Sequence, residues 1–234
     1  MKSRFKVRST TSVNGHGHAP GPVRSLMKER AYEEIKRRLL TDAYPPGSFL
    51  AERQLASELG MSKTPVKAAL ERLEVEGFVN VSPQQGIVVR ELTVWEIADL
   101  YEIRAALEAY TLRAIAGRLT GEQVRRLRAN LKAQEAIRGA GDVLTGVALD
   151  AEFHVLFAEF LGNQEILRVI GQLREKMQRV ITAVFRLSPV RIDTSYDEHR
   201  AITEAVIGGE GRRAADLIAR HLELGKRLIL SPRS

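Results

Sequence analysis

From Ser25 to Leu40 the apolar residues Leu26, Ala31, Ile35 and Leu39 recur near a 3.6-residue period, with Lys28, Arg30, Lys36, Arg37 and Arg38 on other faces. That spacing predicts an amphipathic helix. Tyr44-Pro45-Pro46-Gly47 breaks it, and Leu55, Ala56 and Leu59 mark a short second helix from Glu52 that Gly60 closes. A third starts at Ser62 or Thr64 and turns Val66, Ala69, Leu70 and Leu73 inward. Its Pro65 falls in the first turn, where a missing N–H has no intrahelical acceptor to lose. Gly77 ends this helix, and Phe78–Val81, Pro83–Gly86 and Ile87–Arg90 read as strand, turn and strand. Beyond Thr93 the pattern is helical throughout, with six helices at about 93–117, 122–138, 146–161, 164–187, 194–208 and 210–230. The fold class expected is mainly α: an N-terminal winged helix-turn-helix with a small β-hairpin wing, followed by an all-α antiparallel bundle.

A chain of 234 residues is long enough for two such cores. The divisions expected are a disordered basic tail at 1–22, a DNA-binding domain at 23–92 and a helical domain at 93–232. The tail is Ser-, Thr-, Gly-, His- and Pro-rich and buries too little apolar surface to offset its ordering entropy, so His16 and His18 are incidental there. No cysteine is present, which excludes disulfides, zinc ribbons and thiol nucleophiles and leaves His, Asp and Glu as metal ligands. No apolar run approaches the roughly 20 residues that cross a bilayer, and none follows the basic start as an export signal requires. A soluble, cytoplasmic protein without a membrane partner is expected.

Charge sharpens the picture. Residues 1–92 hold 15 Lys and Arg against 10 Asp and Glu, whereas the remainder is nearly balanced at 21 against 19. The basic excess therefore sits in the N-terminal part of the chain, as a polyanion partner met there would favour. The tight Leu59-Gly60-Met61-Ser62 turn leaves the third helix free to enter a major groove, with Ser62, Lys63, Thr64 and Lys67 toward phosphates and base edges. The hairpin tip at Gln85-Gly86 is placed to reach the adjacent minor groove.

Over residues 25–90 the chain resembles the winged-helix domain of the GntR family of bacterial regulators. The resemblance rests on Ala31-Tyr32, Pro46-Gly47, Glu52-Arg53-Gln54-Leu55-Ala56, Leu59 to Leu70, Glu76-Gly77-Phe78-Val79 and Pro83 to Val89. It implies that Arg53, Lys63, Thr64, Lys67 and the wing-tip Gln85-Gly86 contact double-stranded operator DNA. The family commonly carries Arg where Lys63 and Lys67 stand, and Lys lacks the planar fork that Arg presents to guanine. DNA binding is thus carried over more safely than sequence preference.

In the helical half, Asp150 and His154 are one helical turn apart on one face, a spacing that suits chelation. His199 and His221 fall on the fifth and sixth helices of the bundle, whose antiparallel packing would bring all four groups together. One Asp with three His suits Zn, Ni, Mn or Fe. Residues 93 to about 230 also resemble the FCD ligand-binding domain of the FadR-type branch. That likeness rests on Leu100 to Glu108, Asp150-Ala151-Glu152-Phe153-His154, Gly162-Asn163, Glu198-His199 and His221-Leu222. It implies a divalent metal on those four residues, a small organic or sugar acid as effector, and a homodimer on a palindromic site. Arg104 is either a partner for the acid or a structural partner of Glu108.

Phe153, Phe157 and Phe160 read as core, Arg125-Arg126-Leu127-Arg128 as a solvated face, and Trp95 as packing at the domain junction. A metal hydrolase is disfavoured because no phosphate loop, nucleophile elbow or HExxH helix accompanies the histidines. A DNA-binding structural protein without effector is the other alternative. The reading reached is a non-enzymatic transcription regulator, more readily a repressor of a metabolic operon than an activator.

Overall fold

The computed structural model describes residues 22–82 and 86–230, so the tail bar Pro22, the residues His16 and His18, and Gln85 of the wing lie outside the described residues. The first helix, α1 (Pro22–Leu40), buries Ala31, Ile35 and Leu39 against α3 (Lys63–Val75), which returns Val66, Ala69, Leu70 and Leu73. It starts three residues before the expected Ser25, because Pro22 supplies a helical φ at a position that needs no donor. Between them lie β1 (Phe49–Leu50) and α2 (Glu52–Glu58). After α3 come β2 (Val79–Ser82) and β3 (Gly86–Val89), in an antiparallel sheet of order β1-β3-β2. The hairpin is the expected one, whereas β1 is an addition. Its two residues carry no period of their own, and pairing of Phe49 with Val88 and Leu50 with Ile87 creates it.

Six helices follow: α4 (Val94–Ile115), α5 (Gly121–Ala136), α6 (Val143–Leu161), α7 (Gln164–Leu187), α8 (Val190–Ile207) and α9 (Gly211–Leu230). Their core is a second, separate apolar cluster that includes Leu112, Leu127, Phe153, Phe157, Met177, Ile202 and Ile218. Thr93 and Glu96 start α4 with a reciprocal capping box, Glu96 N–H to Thr93 Oγ1 at 3.2 Å and Thr93 N–H to Glu96 Oε2 at 2.9 Å. Helix α6 begins at Val143 rather than 146, because the Asp142 side chain caps it through Thr145 N–H at 3.1 Å. Gly146, expected in the break, lies inside α6, where a Cβ would meet Phe185 at 3.4 Å. Helix α8 likewise starts at Val190, four residues early, directly after Pro189.

Helices α4 and α9 pack most closely of all, and Gly225 permits it: a Cβ there would stand 2.9 Å from the Tyr101 hydroxyl. The two halves meet along α7. Lys36 Nζ reaches Glu175 at 2.7 Å and Glu76 at 2.8 Å, Arg186 pairs with Asp42 at 2.6 Å, and Arg179 donates to the Arg90 carbonyl at 3.1 Å. Arg90 in turn pairs with Glu96, which ties the Arg90-Glu91-Leu92 connector to the start of α4. Trp95 takes no part in this junction. It is 80 % exposed, because the box that starts α4 turns Glu96 and Ile97 toward the connector and Trp95 outward.

Candidate nucleic-acid interface and metal centre

Helices α2 and α3 are joined by a turn in which Gly60 adopts φ +62°, a left-handed conformation that costs a side-chain-bearing residue steric strain. Met61 N–H closes it on the Ala56 carbonyl at 2.9 Å. The turn fixes α3 through its buried side, Pro65 and Val66 included, and leaves Ser62, Lys63, Thr64 and Lys67 exposed on the other. The Ser62 side chain makes no cap hydrogen bond, so the first-turn N–H groups of α3 remain available to an anion. Arg53 on α2 and Gly86 at the start of β3 are also exposed. Among the described residues neither Lys63, Lys67 nor Arg53 is held in an ion pair.

The second site is buried. Asp150 and His154 on α6, His199 on α8 and His221 on α9 converge so that one ligand atom from each lies within 4.8 Å of all the others. His199 Nε2 stands 3.4 Å from His221 Nε2 and 3.7 Å from Asp150 Oδ1, and His154 Nε2 is 3.9 Å from the same carboxylate oxygen. All four are buried, none more than 6 % exposed and His199 completely enclosed.

Each imidazole is held from behind by an acceptor. His154 Nδ1 meets Glu108 Oε2 at 2.5 Å, His199 Nδ1 meets Gln134 Oε1 at 2.9 Å, and His221 Nδ1 meets Glu198 Oε2 at 2.6 Å. A carboxylate or amide oxygen can only accept, so Nδ1 of His154 and of His199 carries the proton and Nε2 presents a lone pair inward; at His221 the 2.6 Å contact to Glu198 favours the same tautomer over the longer 3.1 Å approach of Arg191 Nη2, to which Nδ1 would have to accept. The Gln134 orientation follows from a chain of bonds: its Nε2 donates to Asn130 Oδ1 at 2.6 Å, and Asn130 Nδ2 donates to Glu152 at 2.9 Å. Arg191 grips both oxygens of Glu198, at 2.8 and 2.7 Å, and Arg104 donates to Glu108 Oε1 at 2.9 Å. Both readings of Arg104 thus retain support, since it pairs with Glu108 and also lines, with Asp150, the small cavities flanking the centre.

Protonation at His199 and His221 agrees with this assignment. Burial, then the neighbouring His221 and His154, push the His199 pKa well below its ordinary value, and burial lowers that of His221 against the opposing pull of Glu198. Burial alone would raise the Glu108 carboxyl, but His154 and Arg104 outweigh it and hold the pKa at about 2. Neutral His199 and His221 beside ionised Glu108 and Glu198 suit a divalent cation.

Two features fit a cation better than an empty core. His154 Nε2 is buried without any hydrogen-bond partner among the described residues, an unpaired acceptor that costs roughly 1–3 kcal/mol. The facing Nε2 atoms of His199 and His221 are two acceptors with no proton between them, a repulsive pair unless a positive centre joins them. Phe153 is core as expected, and its ring also stacks on His199 at 3.9 Å between centroids, which fixes the imidazole plane. Glu108, Gln134, Asn130 and Arg191 escaped the sequence reading as supports of the centre. The available signal was weak, a polar residue on the inner face of each amphipathic helix.

A helix-turn-helix with a wing, joined to a helical domain with a buried polar centre, defines a two-domain DNA-binding regulator. Residues 27–89 match the gntR family of bacterial regulatory proteins and residues 99–224 match the FCD domain. The chain belongs to the GntR family, in its FCD-containing form, and is a transcription regulator rather than an enzyme. It is 28 % identical over 182 residues, 77 % of this chain and 83 % of the relative, to the Nta operon transcriptional regulator of Aminobacter aminovorans. It is 24 % identical over 203 residues, 85 % of this chain and 87 % of the relative, to the probable D-xylose utilization operon transcriptional repressor of Paenarthrobacter nicotinovorans. The fold is shared with McbR/YncC of E. coli at a TM-score of 0.75 and 20 % identity, covering 87 % of this chain and 96 % of that one. No helix among the described residues is long and apolar enough to cross a membrane.

Proposed function

We propose that this regulator is a cytoplasmic homodimeric repressor of a metabolic operon, whose affinity for a palindromic site is set by a small organic or sugar acid bound beside a divalent cation. The observation that carries the proposal is the convergence of Asp150 with three Nε2 lone pairs, each fixed by an acceptor behind its ring. Asp150, His154, His199 and His221 would hold the ion, whether Zn, Ni, Mn or Fe. The ion would act as a Lewis acid, offering a remaining coordination position to a carboxylate. Charge supports an anionic effector. Glu108, Asp150 and Glu198 stand against Arg104 and Arg191, so a divalent cation leaves the cluster with one positive charge that a monocarboxylate neutralises. Arg104 is placed to donate to the acid with the guanidinium nitrogens that Glu108 does not engage. Repression follows from likeness to the relative named as a repressor.

On the DNA side, Lys63, Thr64 and Lys67 would meet the major groove, with Ser62 and Arg53 at the backbone and the wing at Gln85-Gly86 in the minor groove. The acid would change the angle between the halves, and so the spacing of the two α3 helices across the dimer. A thermal-shift screen of hydroxy acids and sugar acids tests this, run on metal-loaded and chelated protein, with metal content measured by mass spectrometry. One acid that stabilises only the loaded protein and alters operator affinity is the expected result. Absence of stoichiometric metal after loading with each of the four ions would overturn the cation centre, and a shift that persists after chelation would place the acid elsewhere.

A further inference from the structure

Helix α4 has two opposed faces. One is buried and carries Arg104 and Glu108 behind the four-residue centre, and the other is open to solvent along the length of the helix. On that outer face the exposed residues Trp95, Asp99, Glu102, Ala106, Tyr110 and Arg113 recur three and four positions apart, with Ile103 at the flank. Trp95 is 80 % exposed, Tyr110 53 % and Ile103 45 %, and with Val94 they give α4 more exposed large apolar side chains than any other described helix. Aromatic residues standing in water along one helix face mark a contact surface rather than a solvated one.

The charges on this face say what fits it. Asp99 and Glu102 lie toward the start of the helix and Arg113 toward its end, and among the described residues neither Asp99 nor Arg113 has an ion-pair partner. Ala106 stands midway, seven residues from each, or about 10 Å along the axis. A twofold axis through Ala106 that sets a second copy of α4 antiparallel to the first therefore places Asp99 against the partner's Arg113, and Glu102 against the hydroxyl of the partner's Tyr110. Each contact occurs twice, as in any isologous interface. The methyl group of Ala106 at the centre lets the two helices approach closely, while Trp95 and Ile103 supply apolar cover on either side. A parallel pairing would instead set acid against acid and base against base.

We propose that the outer face of α4 is the seam between two copies of this chain, paired antiparallel about Ala106. This rests on the homodimer proposed for the regulator and gives that dimer its surface. Arg104 and Glu108 lie on the opposite side of the same helix, so an acid that draws on Arg104 would act one helix thickness from the seam. A small rotation of α4 there would pass to the spacing of the two α3 helices.

Sedimentation velocity of the full chain over a range of concentrations tests the seam. Asp99→Arg and Arg113→Asp each turn two attractions into two repulsions, and each should weaken dimerisation about tenfold or more. Mixing the two variants in equal amounts should restore the dimer, because opposite charges then face each other at both contacts. The chain has no cysteine, so Ala106→Cys carries a single thiol beside its own copy at the axis, and a short bismaleimide should join the two. Ala129→Cys, exposed on α5, should stay unlinked. Recovery on mixing shows that both charge variants are folded, and the cross-link decides independently should either fail to fold. A wild-type chain that sediments as a monomer throughout would overturn the seam and the dimer together. A dimer that neither reversal weakens, or in which Ala106→Cys is not linked, would keep the homodimer and overturn this seam. Weakening that mixing does not reverse, in variants that remain folded, would overturn the antiparallel register.

Discussion

The two candidate functional surfaces are built on opposite principles. The start of α3 presents Ser62, Lys63, Thr64 and Lys67 to solvent, with no partner fixing the lysines, on a scaffold whose rigidity comes from Pro65, Val66 and Ala69 beneath. The centre on α6, α8 and α9 is the reverse: every side chain is buried and each imidazole is locked by a second residue. An exposed cation on a long polyanion loses little by being mobile, since phosphates recur along the duplex and the attraction is long-ranged. Buried ligands must be right in position, tautomer and charge before anything binds, because an unsatisfied polar group has no water to turn to. Substitution should therefore leave stability nearly untouched on the first surface and couple it to ligand binding on the second.

The largest effect expected is in the centre. His199→Ala removes the one fully enclosed imidazole among the described residues and should abolish stoichiometric metal, which mass spectrometry reads directly. Chelation of the wild-type protein should lower its melting temperature by roughly 5–11 °C if the ion is present at about a hundredfold over its Kd, since that linkage is about 2.7 kcal/mol and a chain of this size moves about 2–4 °C per kcal/mol. A chelated protein that melts with the untreated one would remove the cation from the stability of this half. Next comes the support behind the ring: Gln134→Leu leaves the His199 Nδ1–H without an acceptor and should weaken metal affinity about 10–100-fold. An unchanged affinity in that variant would show that Phe153 stacking alone sets the His199 plane.

The same contrast explains what could be read from the chain in advance. The exposed placement of Lys63, Thr64 and Lys67 is legible because a helix N-terminus after a Gly turn is a local pattern, and the approach of Asp150 to His154 because four residues make one turn. The helical layout is legible for the same reason, and its misplaced starts at Val143 and Val190 arise where a cap or a proline, rather than hydrophobic period, sets the boundary. The partners of the histidines are non-local. Glu108 lies 46 residues from His154 and Gln134 lies 65 from His199, so only the packing of α4 and α5 onto the centre discloses them. Strand β1 was invisible because two residues become a strand only when β3 pairs with them.

Smaller effects are expected at α3, and of a different kind. Lys63→Ala and Lys67→Ala should each reduce operator affinity and flatten the dependence of log K on log salt by about 0.9 for every phosphate left without its counter-charge, while thermal stability stays within about 0.5 kcal/mol. Binding titrations at several ionic strengths separate the two quantities, and a slope that does not change would exclude the lysine in question from neutralising a phosphate.

The smallest effect expected is at a basic cluster of similar appearance. Arg125, Arg126 and Arg128 lie exposed on α5, yet Arg126 pairs with Glu159 at 2.7 Å and Arg125 is engaged by Glu122. Charge already paired on the surface contributes little to steering, because its field is cancelled within a few ångströms and screened beyond about 8–10 Å at physiological salt. Arg126→Ala should therefore alter operator affinity less than either lysine substitution and leave the salt slope as it was. Should its slope fall as far as that of Lys67→Ala, DNA would extend over α5, and the separation between an exposed reading surface and a closed sensing domain would have to be redrawn.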